Sequence, residues 1–203
     1  MPFKEISSLY KLNNRKRVFV LGVDGLGGSG KTTYALLLKN VLKNEGIHVE
    51  VLHIDDFIHP KEIRYDSSKL DWECYYNLQW RYDYLRMEIL TPIQSGSMIN
   101  KDIELYDKQN DSYIGKHITL TTDSILMIEG VFLQRSELRS YFDYVIYIDA
   151  NKESRLQRVI ERDTYIGDEK SIIEKYEKRY FPAEDQYILE HNPKQKANYI
   201  KEA

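Results

Sequence analysis

The sequence predicts an α/β fold in which a five-stranded parallel sheet carries helices on both faces. Two continuous apolar runs, at residues 124–128 and 144–148, are typical of strands that are buried on both sides. Strand-like segments alternate along the chain with segments of helical apolar spacing. A glycine-rich loop at residues 25–32 separates a strand from a helix. This order favours a nucleotide-binding sheet.

The first elements follow from apolar spacing. An amphipathic helix is predicted at 3–12, a strand at 17–24, a helix at about 33–44 and a second strand at 49–54. Gly46 stands just past the second helix, where a left-handed cap residue is expected. The inward residues predicted for that helix are Leu36, Leu37, Val41 and Leu42.

Residues 58–122 interrupt this rhythm and are predicted to form an inserted acceptor-binding region. Asp71 is a good N-cap for a helix of about 72–90, which Thr91-Pro92 should end. Two strand-like runs, 103–107 and 117–121, flank a turn and predict a hairpin.

The rest of the chain returns to strand–helix alternation. The apolar strands at 124–128 and 144–148 are followed by a charged helix starting near Lys152. A second helix is predicted at 171–190, and a last short strand at 197–200. We expect residues 1–203 to form a single domain, with a lid at about 152–170.

Composition limits the functional classes. The net charge of −3 gives no electrostatic footprint for nucleic acid, and no apolar run is long enough to cross a membrane. The N-terminus lacks the apolar core of a signal peptide. Cys74 is the only cysteine, which excludes an intrachain disulfide and a cysteine-based metal site. A cytoplasmic protein is therefore expected, and its oligomeric state, including a homo-oligomer, stays open.

Residues 25–32 read GLGGSGKT, which fits the pattern G-x-x-x-x-G-K-[ST] of a phosphate-binding loop (P-loop). Glycines let several backbone N–H groups point at one anion, and the following helix directs its positive end to the same place. Lys31 can reach the β- and γ-phosphates, and the Thr32 hydroxyl can bind Mg²⁺. The predicted nucleotide-binding residues are Gly25, Gly27, Gly28, Ser29, Gly30, Lys31, Thr32 and Thr33.

Acidic residues follow two further strands. Asp55 comes after the 49–54 strand, and Glu129 after the 124–128 strand. Ligands of open α/β sheets gather at the carboxyl ends of the strands, so these carboxylates should lie near the loop. There a carboxylate can accept a proton from an attacking hydroxyl or hold Mg²⁺. Taken alone, each acid could equally be a solvated or capping carboxylate.

With these motifs in order, the chain resembles the uridine kinase and phosphoribulokinase group of P-loop kinases, and it is also similar to nicotinamide riboside kinases. The resemblance covers roughly residues 17–200. Its matching segments are Gly25–Thr33, His53–Phe57, Tyr106-Asp107, Met127–Gly130, Arg155–Asp163 and Pro193–Ala197.

The resemblance implies an ATP- and Mg²⁺-dependent kinase for a small acceptor. Asp55 matches the base that contacts the acceptor hydroxyl, and Glu129 matches an acid near Mg²⁺ and the acceptor ribose. Lys31 would hold the transferring phosphate, and Arg158 and Arg162 match arginines of a lid helix that closes over it. Arginine forks suit this neutralising role. A solvated helix face is the alternative for both arginines.

The acceptor end departs from the family pattern. Tyr106 and Asp107 match a dipeptide that opens the pyrimidine pocket of uridine kinases. Lys108 stands where an aromatic residue would be, and Asp111 where a histidine would be. Loss of such groups weakens base discrimination. An aromatic stripe at Trp72, Tyr76, Trp80 and Tyr84 could form a stacking wall, although core packing is the ordinary interpretation.

Two other functional classes stay open. A nucleotide-binding regulatory protein or weak NTPase would need no acceptor, which suits the incomplete pyrimidine motif. A GTPase is disfavoured, because Asn151-Lys152-Glu153-Ser154 lacks the carboxylate that reads guanine in the Asn-Lys-x-Asp pattern.

Overall fold

The computed structural model of the chain describes residues 2–13 and 16–203. Its strands are β1 (Phe19–Gly25), β2 (His48–His53), β3 (Ile99–Asp107), β4 (Ser112–Leu120), β5 (Ser124–Gly130), β6 (Tyr144–Asp149) and β7 (Tyr199–Glu202). A five-stranded sheet has the order β2-β5-β1-β6-β7, with every neighbouring pair parallel. The parallel five-stranded sheet predicted from the sequence is confirmed.

The helices are α1 (Phe3–Leu12), α2 (Lys31–Asn44), α3 (Lys61–Arg64), α4 (Asp71–Glu73), α5 (Tyr82–Leu85), α6 (Thr91–Gln94), α7 (Lys152–Arg162), α8 (Glu169–Lys175), α9 (Phe181–His191) and α10 (Pro193–Lys196). Three π-helical turns extend them. Cys74–Leu78 follows α4, Arg86–Leu90 joins α5 to α6, and Tyr176–Tyr180 joins α8 to α9. The helix predicted at 171–190 is therefore continuous and contains a π-helical turn.

Side chains alternate between the two faces of the sheet, and each face has its own core. Phe19, Leu21 and Val23 of β1 pack with α1 and α2 on one face. Val20 packs on the opposite face with the inserted region and α9. Helices on both faces cover the central strands β1 and β5, which are buried at every position, as expected for a parallel sheet.

The inserted hairpin pairs β3 with β4 in antiparallel register over their full length. Both strands are longer than the predicted runs, and the turn lies between Asp107 and Ser112. No helix in the described part of the chain is long and apolar enough to cross a membrane.

The single helix predicted at 72–90 is wrong. Backbone pairing breaks it: the Arg81 N–H donates to Phe57 O at 2.8 Å, and the His59 N–H donates to Gln79 O at 2.8 Å. Trp80 bridges Ile58 between these two bonds, so this segment is extended. Such long-range pairing overrides local helix propensity.

The predicted ends of that helix are also wrong. Leu70 is the N-cap and Asp71 is already helical. The chain stays helical through Thr91-Pro92 as far as Gln94. The π-helical turn Arg86–Leu90 precedes this proline. A π-turn changes the hydrogen-bond spacing, which is a common way to accommodate an interruption in a helix.

Of the four inward residues predicted for α2, Leu42 is confirmed, Val41 is partly buried, and Leu36 and Leu37 are wrong because they are exposed. Leu42 is buried against the sheet together with Leu38, Tyr34 and Ala35. The helix begins at Lys31, directly after the glycine-rich loop, and this start fixes which stripe meets the sheet.

We therefore expect Leu38→Ala to lower the free energy of unfolding by about 2–5 kcal/mol, because it opens a cavity under the sheet. Leu37→Ala is the matched control on the same helix, where the side chain is half exposed. Urea unfolding of both variants measures the difference. Equal losses would contradict this assignment of the inward face.

Candidate active site

The P-loop connects β1 to α2 and needs unusual backbone angles. Gly28 and Gly30 have φ values of 74° and 94°, in the left-handed region that favours glycine. Gly28 also packs closely on α7: a Cβ there would lie 2.7 Å from the Arg155 carbonyl oxygen. The loop curls at the N-terminus of the 14-residue helix α2, where free N–H groups can bind an anion.

Lys31 lies buried under the loop, and its Nζ donates to Leu26 O at 2.8 Å. Burial lowers the pKa of the Lys31 ammonium, whereas the charges of Glu129, Asp24 and Asp55 raise it. Lys31 thus lies near three carboxyl groups at the sheet edge.

Glu129 links three predicted elements of the site. Thr32 Oγ1 donates to Glu129 Oε1 at 3.2 Å, and His53 Nδ1 lies 2.5 Å from the same oxygen. Glu129 is buried, and its hydrogen bond to His53 is the main reason that the pKa of the imidazole is raised. The contact joins the loop to the ends of β2 and β5.

Asp55 lies in the short 3₁₀ turn Ile54–Asp56 that follows β2. Asp55 is exposed to solvent. Partial desolvation by the protein around it raises the pKa of the Asp55 carboxyl, Lys31 lowers it, and Glu129 raises it further. The carboxylate is thus near Lys31 and free of a fixed hydrogen-bond partner among the described residues.

A buried ion pair fixes the other side of the loop. Glu184 of α9 accepts the Gly27 N–H through Oε1 at 2.7 Å and pairs with Arg155 of α7 through Oε2 at 2.8 Å. Arg155 also donates to Gly27 O at 3.0 Å. Both side chains are almost completely buried. Burial raises the pKa of the Glu184 carboxyl, and Arg155 lowers it.

The two arginines predicted on the lid helix have different surroundings. Arg158 lies against the P-loop, and its Nη1 donates weakly to Gly28 O and Ser29 O at 3.3 and 3.4 Å. Arg162 instead pairs with Asp163, with Nε to Oδ1 at 2.7 Å. Of these two predicted lid arginines, Arg158 contacts the P-loop and Arg162 contacts Asp163.

Tyr106 is buried in the hairpin and has a fixed hydroxyl. It donates to Asp111 Oδ1 at 2.6 Å and accepts from Arg64 Nη2 at 2.9 Å. The Arg64 guanidinium lies 4.8 Å from the centre of the Tyr106 ring. Asp111 also accepts the Lys61 N–H at the start of α3. The network ties the hairpin turn to the segment after Asp55.

Asp107 has a local role at the hairpin. Its carboxylate accepts the Gln109 N–H at 2.9 Å and the Asn110 side-chain amide. These bonds stabilise the turn, and they lower the pKa of the Asp107 carboxyl. The neighbouring Lys108 is exposed and near enough to Asp55 and Asp56 to lower the pKa of each.

The aromatic stripe after Asp71 packs mainly into the core. Tyr76 and Trp80 are buried against Phe132 at ring separations of 5.3 and 5.8 Å. Tyr84 lies over the Arg81 guanidinium at 4.0 Å and accepts the Glu104 N–H. These contacts favour the core interpretation over a stacking wall.

Comparison with known proteins assigns the chain to a family. The model of the "Phosphoribulokinase / Uridine kinase family" matches residues 20–200. The chain belongs to this family. It is 27% identical over 179 residues to a uridine kinase from Staphylococcus haemolyticus, covering 83% of this chain and 81% of that protein. A uridine kinase from Schizosaccharomyces pombe is 28% identical over 182 residues, covering 85% of this chain and 38% of that protein.

Two solved structures are also similar to this chain. A Bacillus stearothermophilus protein described as a possible uridine kinase has a TM-score of 0.74 and 32% identity, covering 97% of this chain and 98% of that chain. A D-glycerate 3-kinase from Cryptococcus neoformans has a TM-score of 0.58 at 12% identity, covering 90% of this chain and 87% of that one, which shows a shared fold alone. The chain is a small-molecule kinase of the uridine kinase-like family, with a hydroxyl group as acceptor.

Sequence reasoning missed several residues that this kinase places around the loop. Asp24 is fully buried at the end of β1, where it accepts from Tyr187 Oη at 2.6 Å and Gln134 Nε2 at 2.9 Å. Glu184 and Arg155 were likewise given no role. An acid directly before the glycine-rich loop was a visible signal for Asp24. Glu184 lies 157 residues from Gly27 and carries no local motif.

We expect Glu184→Gln to destabilise the fold by about 3–5 kcal/mol, because it leaves the buried Arg155 charge without its partner. Glu174→Gln is the matched control, since it removes a surface pair with Lys178 and should leave the unfolding midpoint near that of the wild type. Urea unfolding at neutral pH compares the two. A wild-type midpoint for Glu184→Gln would show that the pair contributes no stability.

Proposed function

We propose that this kinase transfers the γ-phosphoryl group of ATP, with Mg²⁺, to a hydroxyl of a small nucleoside-like or sugar-like acceptor. One observation carries the proposal: Thr32 of the P-loop donates to Glu129 beside the open carboxylate of Asp55. A phosphate cradle, a magnesium-compatible oxygen pair and a free base then stand at one edge of the sheet.

The residues fit a magnesium–nucleotide complex. The Thr32 hydroxyl donates a hydrogen bond to Glu129, which leaves the lone pairs of Oγ1 for a metal ion. Mg²⁺ prefers hard oxygen ligands and is usually held by one or two protein groups together with substrate phosphates. Bound ATP would supply the phosphoryl group, and Mg²⁺ would neutralise charge on its oxygens.

Asp55 is the proposed general base. Its raised pKa, still opposed by Lys31, increases its proton affinity while its open position leaves room for a hydroxyl. Lys31 and Arg158 would neutralise charge on the phosphate oxygens, since both lie at the P-loop. Arg162 would join them only by sharing or leaving its pair with Asp163.

The acceptor side is proposed to include the Tyr106 hairpin, with Asp107 at its turn. Tyr106 already has its hydroxyl bound on both sides and its ring covered by Arg64. A ring of the acceptor would therefore have to pack against a group other than the Tyr106 ring. This favours a polyol or ribose group as the recognised part of the acceptor.

Acceptor-dependent ADP release tests the proposal. With Mg²⁺ and ATP, we expect at least one of uridine, cytidine, nicotinamide riboside, D-ribose or D-glycerate to raise ADP release at least tenfold above the rate without acceptor, and mass spectrometry should find the phosphorylated acceptor. ATP binding with no acceptor-dependent release by any of them would instead favour a regulatory protein or a weak NTPase.

Asp55→Asn tests the base. We expect kcat to fall by about 10²–10⁴ while the Kd for ATP stays near the wild-type value, because general base catalysis contributes about that factor. Asp56→Asn is the matched control, one residue along the same turn, and should retain most of the activity. Stopped-time ADP assays and calorimetry measure both quantities. Unchanged turnover in Asp55→Asn would remove Asp55 from this role.

A further inference from the structure

The His53 side chain makes a contact that backbone pairing in the sheet does not require. It ends β2 and lies directly beside Glu129 of β5 in the parallel register. Its Nδ1 is 2.5 Å from Glu129 Oε1. The His53 side chain is 41% exposed, whereas that of Glu129 is 7% exposed. A histidine that merely filled the core would be covered.

Both hydrogen bonds to Glu129 fall on one oxygen. Thr32 and His53 share Oε1, and Oε2 accepts no hydrogen bond from the described residues. A glutamate side chain has three rotatable bonds, so a carboxylate held at one oxygen presents the other in a restricted direction. Partners of this kind orient the groups around a metal site and affect its affinity.

We propose that His53 is a positioning residue that fixes the Glu129 carboxylate for the magnesium–nucleotide complex; this rests on the proposed function. Thr32 alone cannot do so, because its hydroxyl must also serve the metal. The His53 side chain contacts the same Glu129 oxygen from the neighbouring strand and makes no other hydrogen bond within the described residues.

The same strand pair offers an internal comparison. His48 begins β2 and lies beside Ser124, with Nδ1 3.1 Å from Ser124 Oγ. It has the same side chain, strand and neighbouring strand as His53, but it lies at the opposite end of the sheet from the P-loop. Loss of His48 therefore reports what a cross-strand histidine contributes to folding alone.

The test is the gain in ATP affinity that Mg²⁺ provides, measured by calorimetry as the ratio of the Kd in EDTA to the Kd with Mg²⁺. We expect His53→Ala to reduce this gain about tenfold, the lower end of the range for such partners. His53→Asn should keep most of it, because an asparagine amide can place a donor near the Nδ1 position. The Kd in EDTA should stay unchanged, and His48→Ala should match the wild type.

An unchanged gain in His53→Ala would overturn the proposal, and so would an equal loss in His48→Ala. Absence of any Mg²⁺ gain in the wild type would also overturn it. The first two outcomes are separate from the proposed function, whereas the third would also contradict its Mg²⁺ dependence. A wild type that binds Mg²⁺ and ATP but transfers to no acceptor would contradict the kinase reaction and leave the role of His53 standing.

Discussion

The position of the P-loop depends on one buried ion pair. Glu184 accepts the Gly27 N–H and pairs with Arg155, so α7, α9 and the loop meet at a single carboxylate. Removing two charges from water costs free energy. Their mutual attraction offsets this cost only when the geometry of the pair is favourable and additional hydrogen bonds satisfy both groups. Here each charge also bonds the loop backbone. The pair therefore specifies where the loop lies, whatever net stability it adds.

The position of α7 that this ion pair fixes also restricts which side chains the loop can hold. With α7 held against the loop, the Arg155 carbonyl oxygen and Val159 occupy the space that a Cβ at Gly28 would need. The glycine is thus required by packing as well as by its positive φ. The same approach brings Arg158 to the loop carbonyls. The loop is consequently held between the sheet edge and α7 before any phosphate binds.

Local features of the site could be predicted, and long-range ones could not. Gly25–Thr32, Asp55 and Glu129 each lie at the carboxyl end of a strand, so strand periodicity and loop chemistry could predict their positions. The helix of 72–90 failed because Phe57–His59 pairs with Gln79–Arg81, which no local pattern reveals. Likewise, the phase of α2 depends on its start at the loop, and Glu184 reaches Gly27 only through the fold.

The two strand-end acids differ in what surrounds them, and this difference supports different roles for them in the proposed reaction. Glu129 is buried and bound by Thr32 and His53, so its carboxylate is fixed and already accepts two hydrogen bonds. Asp55 is exposed and has no fixed hydrogen-bond partner among the described residues, and desolvation, together with the nearby Glu129 charge, raises its pKa. A fixed, bound carboxylate suits an electrostatic anchor, and a free one of raised proton affinity suits a base.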